Sequence, residues 1–289
     1  MNTPTTQPQP APAATKQLPA LTLLVLTSFF PESRRALRLA AELAQPLGAR
    51  LVLVHVDQLA LLNADVRGPE WPEQTAELRE ALQALADEQP VAADLAIVND
   101  LLPDAVDELL TQYHPALFVL GRPAAAGADF DIGAAVLEIL RNARVPLLLV
   151  PESYAGPAAP RRVAVAADDE PFSLDRGAEP ARQLLRQLPP AQATVVTVVP
   201  MQVDESCAAA LRHVRLSNLL PDAVPVTAEG FYAQHPADGL LPALAATQAD
   251  WLLMLARRRS LLGELFHRSV TGRLLGLSPV PVLVVPADR

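Results

Sequence analysis

A chain of 289 residues has room for two hydrophobic cores, so two domains are the starting expectation. Apolar residues make up 51% of it, yet no apolar run nears the roughly 20 residues of a membrane helix and no charged-then-apolar leader opens it. The chain therefore reads as soluble and cytoplasmic, with no membrane partner. A net charge of −9 argues against nucleic acid, and a single cysteine, Cys207, excludes an intrachain disulfide and reads as a small helix residue.

Residues 1–20, rich in Pro, Thr, Gln and Ala, carry no helical or strand periodicity and read as a disordered tail. From Leu21 onward short apolar runs alternate with amphipathic stretches. LTLLVL (21–26) precedes the helical text SRRALRLAAELAQPLG (33–48). The runs RLVLVHV (50–56), DLAIV (94–98), LFVL (117–120) and PLLLV (146–150) follow, with helical text between them. Strands this continuously apolar are buried on both faces, as in a parallel sheet covered by crossover helices. Between two of them Glu70, Glu73, Glu77, Glu80 and Glu88 form a solvated face opposite Leu78, Leu82 and Leu85.

The pattern then restarts after the Pro, Gly and Ala-rich segment 150–160, with RVAVAAD (162–168), ATVVTVV (193–199), VPVTA (224–228), DWLLML (250–255) and PVLVVP (281–286). VPLLLVP (145–151) matches VPVLVVP (280–286) 135 residues on, and the same spacing sets Leu109 on Leu244, Leu117 on Leu252 and Val119 on Met254. An internal duplication accounts for this. The expected fold class is α/β: two tandem, doubly wound, five-stranded parallel-sheet domains of Rossmann-like build. The first spans 21–151, a linker 152–161, the second 162–289. Each half is expected to form its own sheet, packing on the other through last strands or helices. One continuous sheet crossing the linker would count against the duplication.

The segment ADWLLMLARRRSLLGELFHRSVTGRLLGLSPVPVLVVP (249–286) resembles the C-terminal third of a universal stress protein domain, keeping Met254, Ser269, Val270, Thr271, Pro281 and the last strand in register. LTLLVLTSFFPESRRAL (21–37) is similar to that family's opening strand and helix. The resemblance implies an adenine nucleotide α-hydrolase-like fold and binding of an adenine nucleotide, ATP or AMP, with loop glycines that let backbone N–H groups approach phosphates. In the second half the three glycine positions read Leu255, Arg258 and Arg268, while Ser269, Val270 and Thr271 remain at the helix start. Asp168 remains where the family's acid meets the adenosine. In the first half Gly121 survives and Gly133 lies near the helix start, but the loop is one residue shorter, Ser28 replaces the acid, Ala134 replaces the serine, and Asp129 and Asp131 add negative charge. No adenine nucleotide is expected there.

Independently of the family, Arg257, Arg258 and Arg259, followed by His267 and Arg268, fall at the carboxyl ends of the second-half strands, where open parallel sheets bind ligands. Two readings stand: capture of an anion by guanidinium groups and a helix dipole, or pairing of the arginines with surface carboxylates or the other half. Other constellations carry less. His55 and Asp57 close a strand and read as packed or solvated residues; His213, His235 and His267 lie on separate elements without metal-ligand spacing. Neither a GxxxxGK[ST] loop nor a GxSxG elbow is present. The functional expectation is a non-enzymatic stress-response protein with a degenerate nucleotide site. It would act through an intramolecular pseudo-dimer of the two domains, homodimer formation and an unidentified protein partner. The alternative is a phosphate-ligand or ATP-binding protein, with slow ATPase activity, using the second half.

Overall fold

In the computed structural model the described residues are 20–56, 71–98, 102–123, 139, 144–199, 204–257 and 270–288. The first half contains β1 (Thr22–Leu26), α1 (Pro31–Leu47), β2 (Arg50–Val56), α2 (Trp71–Asp87), β3 (Ala93–Val98), α3 (Leu102–Gln112), β4 (Ala116–Arg122) and β5 (Leu147–Pro151). The second contains β6 (Arg162–Ala166), α4 (Glu179–Gln187), β7 (Gln192–Val199), α5 (Asp204–Leu216), β8 (Val226–Tyr232), α6 (Pro236–Ala246), β9 (Trp251–Arg257), α7 (Val270–Leu277) and β10 (Val282–Ala287).

Helix α1 shows how the chain writes these elements. Pro31 supplies the preset φ of a first helical turn, and Ala36, Leu37, Leu39, Ala40, Leu43 and Leu47 form the buried stripe. Gly48 ends the helix at φ 56°, a left-handed conformation open to glycine at no Cβ cost, with its N–H bonded back into the last turn. Helix α2 likewise buries Leu82 and Leu85 and leaves Glu77 and Glu80 in solvent, as its pattern predicts.

The strands form a single ten-stranded sheet in the order β3-β2-β1-β4-β5-β10-β9-β6-β7-β8. All pairings within each half are parallel. The two five-stranded units join where β5 runs antiparallel to β10, with Leu147 opposite Val284, Leu148 opposite Leu283 and Leu149 opposite Val282. The two five-stranded parallel units expected from the repeat are thus present, and they meet through their last strands. The sheet is continuous because the last strands pair, not because the linker continues it, and each half keeps the same internal strand order, so the duplication stands. Leu148 and Leu283, equivalent in the repeat, face each other across the join, which marks a pseudo-twofold axis between them.

Helices cover both sheet faces. Helices α1, α2, α4 and α5 cover one, through residues such as Leu43, Leu82, Leu184 and Val214. Helices α3, α6 and α7 cover the other, through Val106, Leu240 and Leu274. This two-sided cover explains why the central strands read as unbroken apolar runs. β3 and β8 lie at the sheet edges and are partly exposed, contrary to the expectation of burial on both faces. β8 also runs on to Tyr232, past the expected Ala228.

The repeat spacing needs a further correction. Leu117 and Val119 share a face with Trp251 and Leu253, whereas Phe118 and Leu120 share the other with Leu252 and Met254. β4 therefore maps onto β9 at 134 residues, not 135, since Phe118 stands beside Leu147 as Leu252 stands beside Val282. Matching Leu117 to Leu252 and Val119 to Met254 would turn every side chain to the wrong face. The extra residue lies between β9 and β10, as the shorter first-half loop anticipates.

Side chains tie the halves together around the join. Arg144 pairs with Asp175 at 3.0 Å and Asp288 at 2.7 Å, and Ser173 forms an antiparallel bridge with Asp288. Arg122 donates at 2.7 Å to both the Gly276 and Ser278 carbonyls at the end of α7, where a cation complements the helix dipole. In the linker, Arg35 donates to the Tyr154 carbonyl at 2.5 Å and lies 5.5 Å from its ring centre, while the Tyr154 hydroxyl donates to Pro157 at 2.9 Å. Burial, reinforced by the Asp250 charge and opposed by Arg35, pushes the Tyr154 phenol up to about 12.

Truncating Leu148→Ala or Leu283→Ala is expected to cost about 2–5 kcal/mol each in urea denaturation. Because the two side chains meet at the join, the double variant should depart from additivity by about 0.5–3 kcal/mol. Strict additivity would place the halves' association elsewhere. A second expectation concerns alkaline pH. The unfolded chain releases the Tyr154 proton near pH 10 and the folded chain near 12, so this group's contribution is complete below pH 10 and lost as pH rises between those values. Stability followed across that window should fall less steeply in Tyr154→Phe; an unchanged slope would refute the assignment.

Candidate crevices at the sheet edge

In each half the first strand lies between two neighbours whose connections leave toward opposite sheet faces. Ligands of open α/β sheets sit in the crevice this creates at the carboxyl ends, here between β1 and β4 and between β6 and β9. The antiparallel join sends the two carboxyl edges in opposite directions. The two crevices therefore open at opposite ends of the sheet.

In the second half the crevice is bridged by an ion pair. Asp168 stands two residues beyond β6, and Arg257 is the last residue of β9. The Arg257 guanidinium donates from Nη2 to Asp168 Oδ1 at 2.6 Å and from Nη1 to Asp168 Oδ2 at 3.0 Å. It also donates to Glu170 Oε2 at 3.1 Å and to the Glu170 carbonyl at 3.0 Å. The Glu170 N–H in turn donates to Asp168 Oδ1 at 3.1 Å, closing a tight turn. Only 17% of the Arg257 side chain is exposed, against 57% and 59% for the two carboxylates, so the fork is held on the protein side. Bidentate pairs of this kind are directional and charge-assisted. For Arg257 the carboxylate-pairing reading describes the geometry.

Of the other residues singled out from the sequence, Val270 and Thr271 are the first described residues of α7, the helix between β9 and β10. Arg258, Arg259, His267, Arg268 and Ser269 lie outside the described residues, as do Asp57, Asp129, Asp131, Gly133 and Ala134 in the first half. Glu170 went unremarked in the sequence. Its signal was the run Asp168, Asp169 and Glu170 ending one strand of an edge whose neighbour ends in arginine.

The first-half crevice is filled by backbone instead. Ser28, at the place of Asp168, receives Ser33 Oγ on its carbonyl at 2.6 Å and donates its N–H to the same oxygen at 2.8 Å. This pins the start of α1 over the edge. A Cβ on Gly121 would stand 2.2 Å from the Glu32 carbonyl oxygen and 2.8 Å from the Ser33 nitrogen. Gly121, read from the sequence as a surviving phosphate-loop glycine, is thus where α1 presses on β4. At the equivalent position Leu255 carries a side chain packed against the core, and α4 starts only at Glu179, after a longer loop. His55 Nδ1 lies 2.9 Å from the Thr27 carbonyl and its ring 6.0 Å from that of Phe29. Burial lowers the pKa of Arg122 at the end of β4, though a guanidinium stays charged. Among the described residues no group of three or more His, Cys, Asp or Glu side chains could hold a metal ion. No described helix is long and apolar enough to cross a membrane.

Comparison with known proteins agrees with this architecture. The universal stress protein family model matches residues 21–151 and again 160–286. No curated protein matches the chain in sequence. Among solved structures, a universal stress protein from Archaeoglobus fulgidus DSM 4304 superposes with a TM-score of 0.61 at 17% identity, covering 92% of this chain and 98% of that one. The cytoplasmic domain of a prokaryotic cation chloride cotransporter gives 0.53 at 13% identity, covering 93% and 94%. A protein of unknown function from Pseudomonas aeruginosa PAO1 gives 0.50 at 16%, covering 92% of each chain. At these identities the structures speak for the fold alone. The two family matches, in tandem and together spanning most of the sequence, show that this chain belongs to the universal stress protein family.

Proposed function

We propose that the protein acts in the stress response without chemistry of its own, through contacts with itself or a protein partner, and that its nucleotide sites are degenerate. Family membership supports the stress-related role. The single observation carrying the rest is that Arg257, bonded to Asp168 and Glu170, spans the second-half crevice with the chain's own charges. The acid that would meet an adenosine is committed to a guanidinium. In the first half the start of α1, packed on Gly121, occupies the corresponding place. The intramolecular pairing of halves already supplies a pseudo-dimer, and a true homodimer would add to it.

A second reading, binding of ATP or another phosphate ligand with slow hydrolysis, rests on one feature: α7 follows β9, whose end carries Arg257, and a helix start following a strand can attract anions. Calorimetry of the full chain with ATP, ADP and AMP separates the two. The expected result is no saturable binding up to about 1 mM, an affinity of only about −4 kcal/mol, and no release of phosphate. Arg257→Ala should cost about 1 kcal/mol or less of stability, since its carboxylate partners are largely exposed, and should not confer nucleotide affinity, because Leu255 still replaces the loop glycine. Micromolar ATP binding in either protein would establish the second reading instead.

A further inference from the structure

Apart from the two crevices, a cavity of about 490 Å³ opens between the halves. One wall is His114 and Pro115, which lead into β4 of the first half; the other is the loop and helix start from Leu174 to Gln183 of the second. Its volume falls within the roughly 300–1,000 Å³ of small-molecule sites, which favour boundaries between domains. The lining surface is mostly apolar, from Pro115, Leu174, Pro180 and the stems of longer side chains.

The charges around it are unevenly matched. Asp175 is held by Arg144 at 3.0 Å and accepts from the Gly177 N–H at 2.7 Å. Glu179 pairs with Arg186 and, at 3.8 Å, with Arg182. Arg182 donates through its two Nη groups to the carbonyls of Leu174, Asp175 and Ser217, and its buried Nε has no hydrogen-bond partner. Arg176 is different: it lines the cavity, is exposed, and has no carboxylate within 4.0 Å among the described residues. An apolar floor with one uncommitted guanidinium at its rim suits a ligand that has an apolar body and one negative charge.

We propose that this inter-half cavity binds a small amphipathic monocarboxylate, its carboxylate on Arg176 and its apolar body against Pro115, Leu174 and Pro180. The imidazole of His114, across the opening, offers a second N–H. A phosphate monoester fits less well, because it brings about two charges to a single guanidinium. The bound molecule touches both halves and so favours their packed arrangement by mass action.

The test uses the full chain and four probes with one ring: phenylacetate, phenylacetamide, phenethylamine and phenyl phosphate, followed by calorimetry and by the His114 ring resonances. Phenylacetate should bind saturably and shift those resonances. The amide and the phosphate should bind at least tenfold more weakly, and the amine not at all. Arg176→Ala should weaken phenylacetate at least tenfold with an unchanged urea midpoint, and Arg176→Lys should restore only part, since a fork and a point charge differ. Absence of saturable phenylacetate binding, equal affinity for acid and amide, or affinity unchanged by Arg176→Ala would each overturn the proposal. The acid and amide comparison needs no variant, and none of these outcomes depends on whether ATP binds.

Discussion

The antiparallel pairing of β5 with β10 is the interaction on which the rest of the molecule depends. Strands that end each half would otherwise present unpaired N–H and C=O groups beside wholly apolar side chains, an exposed edge with a strong tendency to associate. Pairing them satisfies those groups and merges two small cores into two continuous layers, one on each face of the sheet. It also fixes the geometry of everything at the edges. A parallel join would have set both crevices side by side; the antiparallel one separates them and brings the amino edge of one half against the carboxyl-edge loop of the other. Arg144, Asp175 and Asp288 meet there, and so do the walls of the inter-half cavity.

The two halves have filled equivalent crevices by different physical means. In the first, a short turn brings the α1 backbone down on β4, which demands glycine at position 121 because any Cβ would collide with main chain. In the second, a longer loop delays the helix, the glycine gives way to Leu255, and a partly exposed guanidinium gathers the carboxylates of the turn. The first solution rests on sterics and hydrogen bonds, the second on charge. Loss of a glycine in one copy is thus tied to the length of the loop opposite it as much as to any ligand.

Much of this was legible in the sequence. Apolar runs bounded by Pro and Gly gave the central strands, amphipathic spacing gave α1 and α2, and the repeated VPLLLVP and VPVLVVP segments gave the duplication. Register was less legible, because Leu, Val and Met recur at nearly every position of β4 and β9 and a slip of one residue leaves the text looking equally apolar. Only the partition of Leu117 from Phe118 between two faces resolves it. The edge strands were over-read for a related reason: burial is a property of neighbours, and nothing within DLAIV says that it has a partner on one side only. The crevice was half legible. The sequence places Asp168 and Arg257 at one edge, but their mutual distance depends on β6 and β9 being adjacent, which strand order alone decides.

Joining the halves in one polypeptide has a consequence for how their association responds to protein level. For separate subunits, the extent of pairing across such an edge varies with concentration. Here residues 152–161 tether the partners, so pairing is intramolecular, governed by the effective concentration the tether sets. Tyr154, held by Arg35 within that segment, shortens the effective tether further. The assembled form therefore persists at the lowest copy number. Released from the need to recognise an identical partner, each half could change its own surface, as the contrast between Ser28-Phe29-Phe30 and Asp168-Asp169-Glu170 after equivalent strands records.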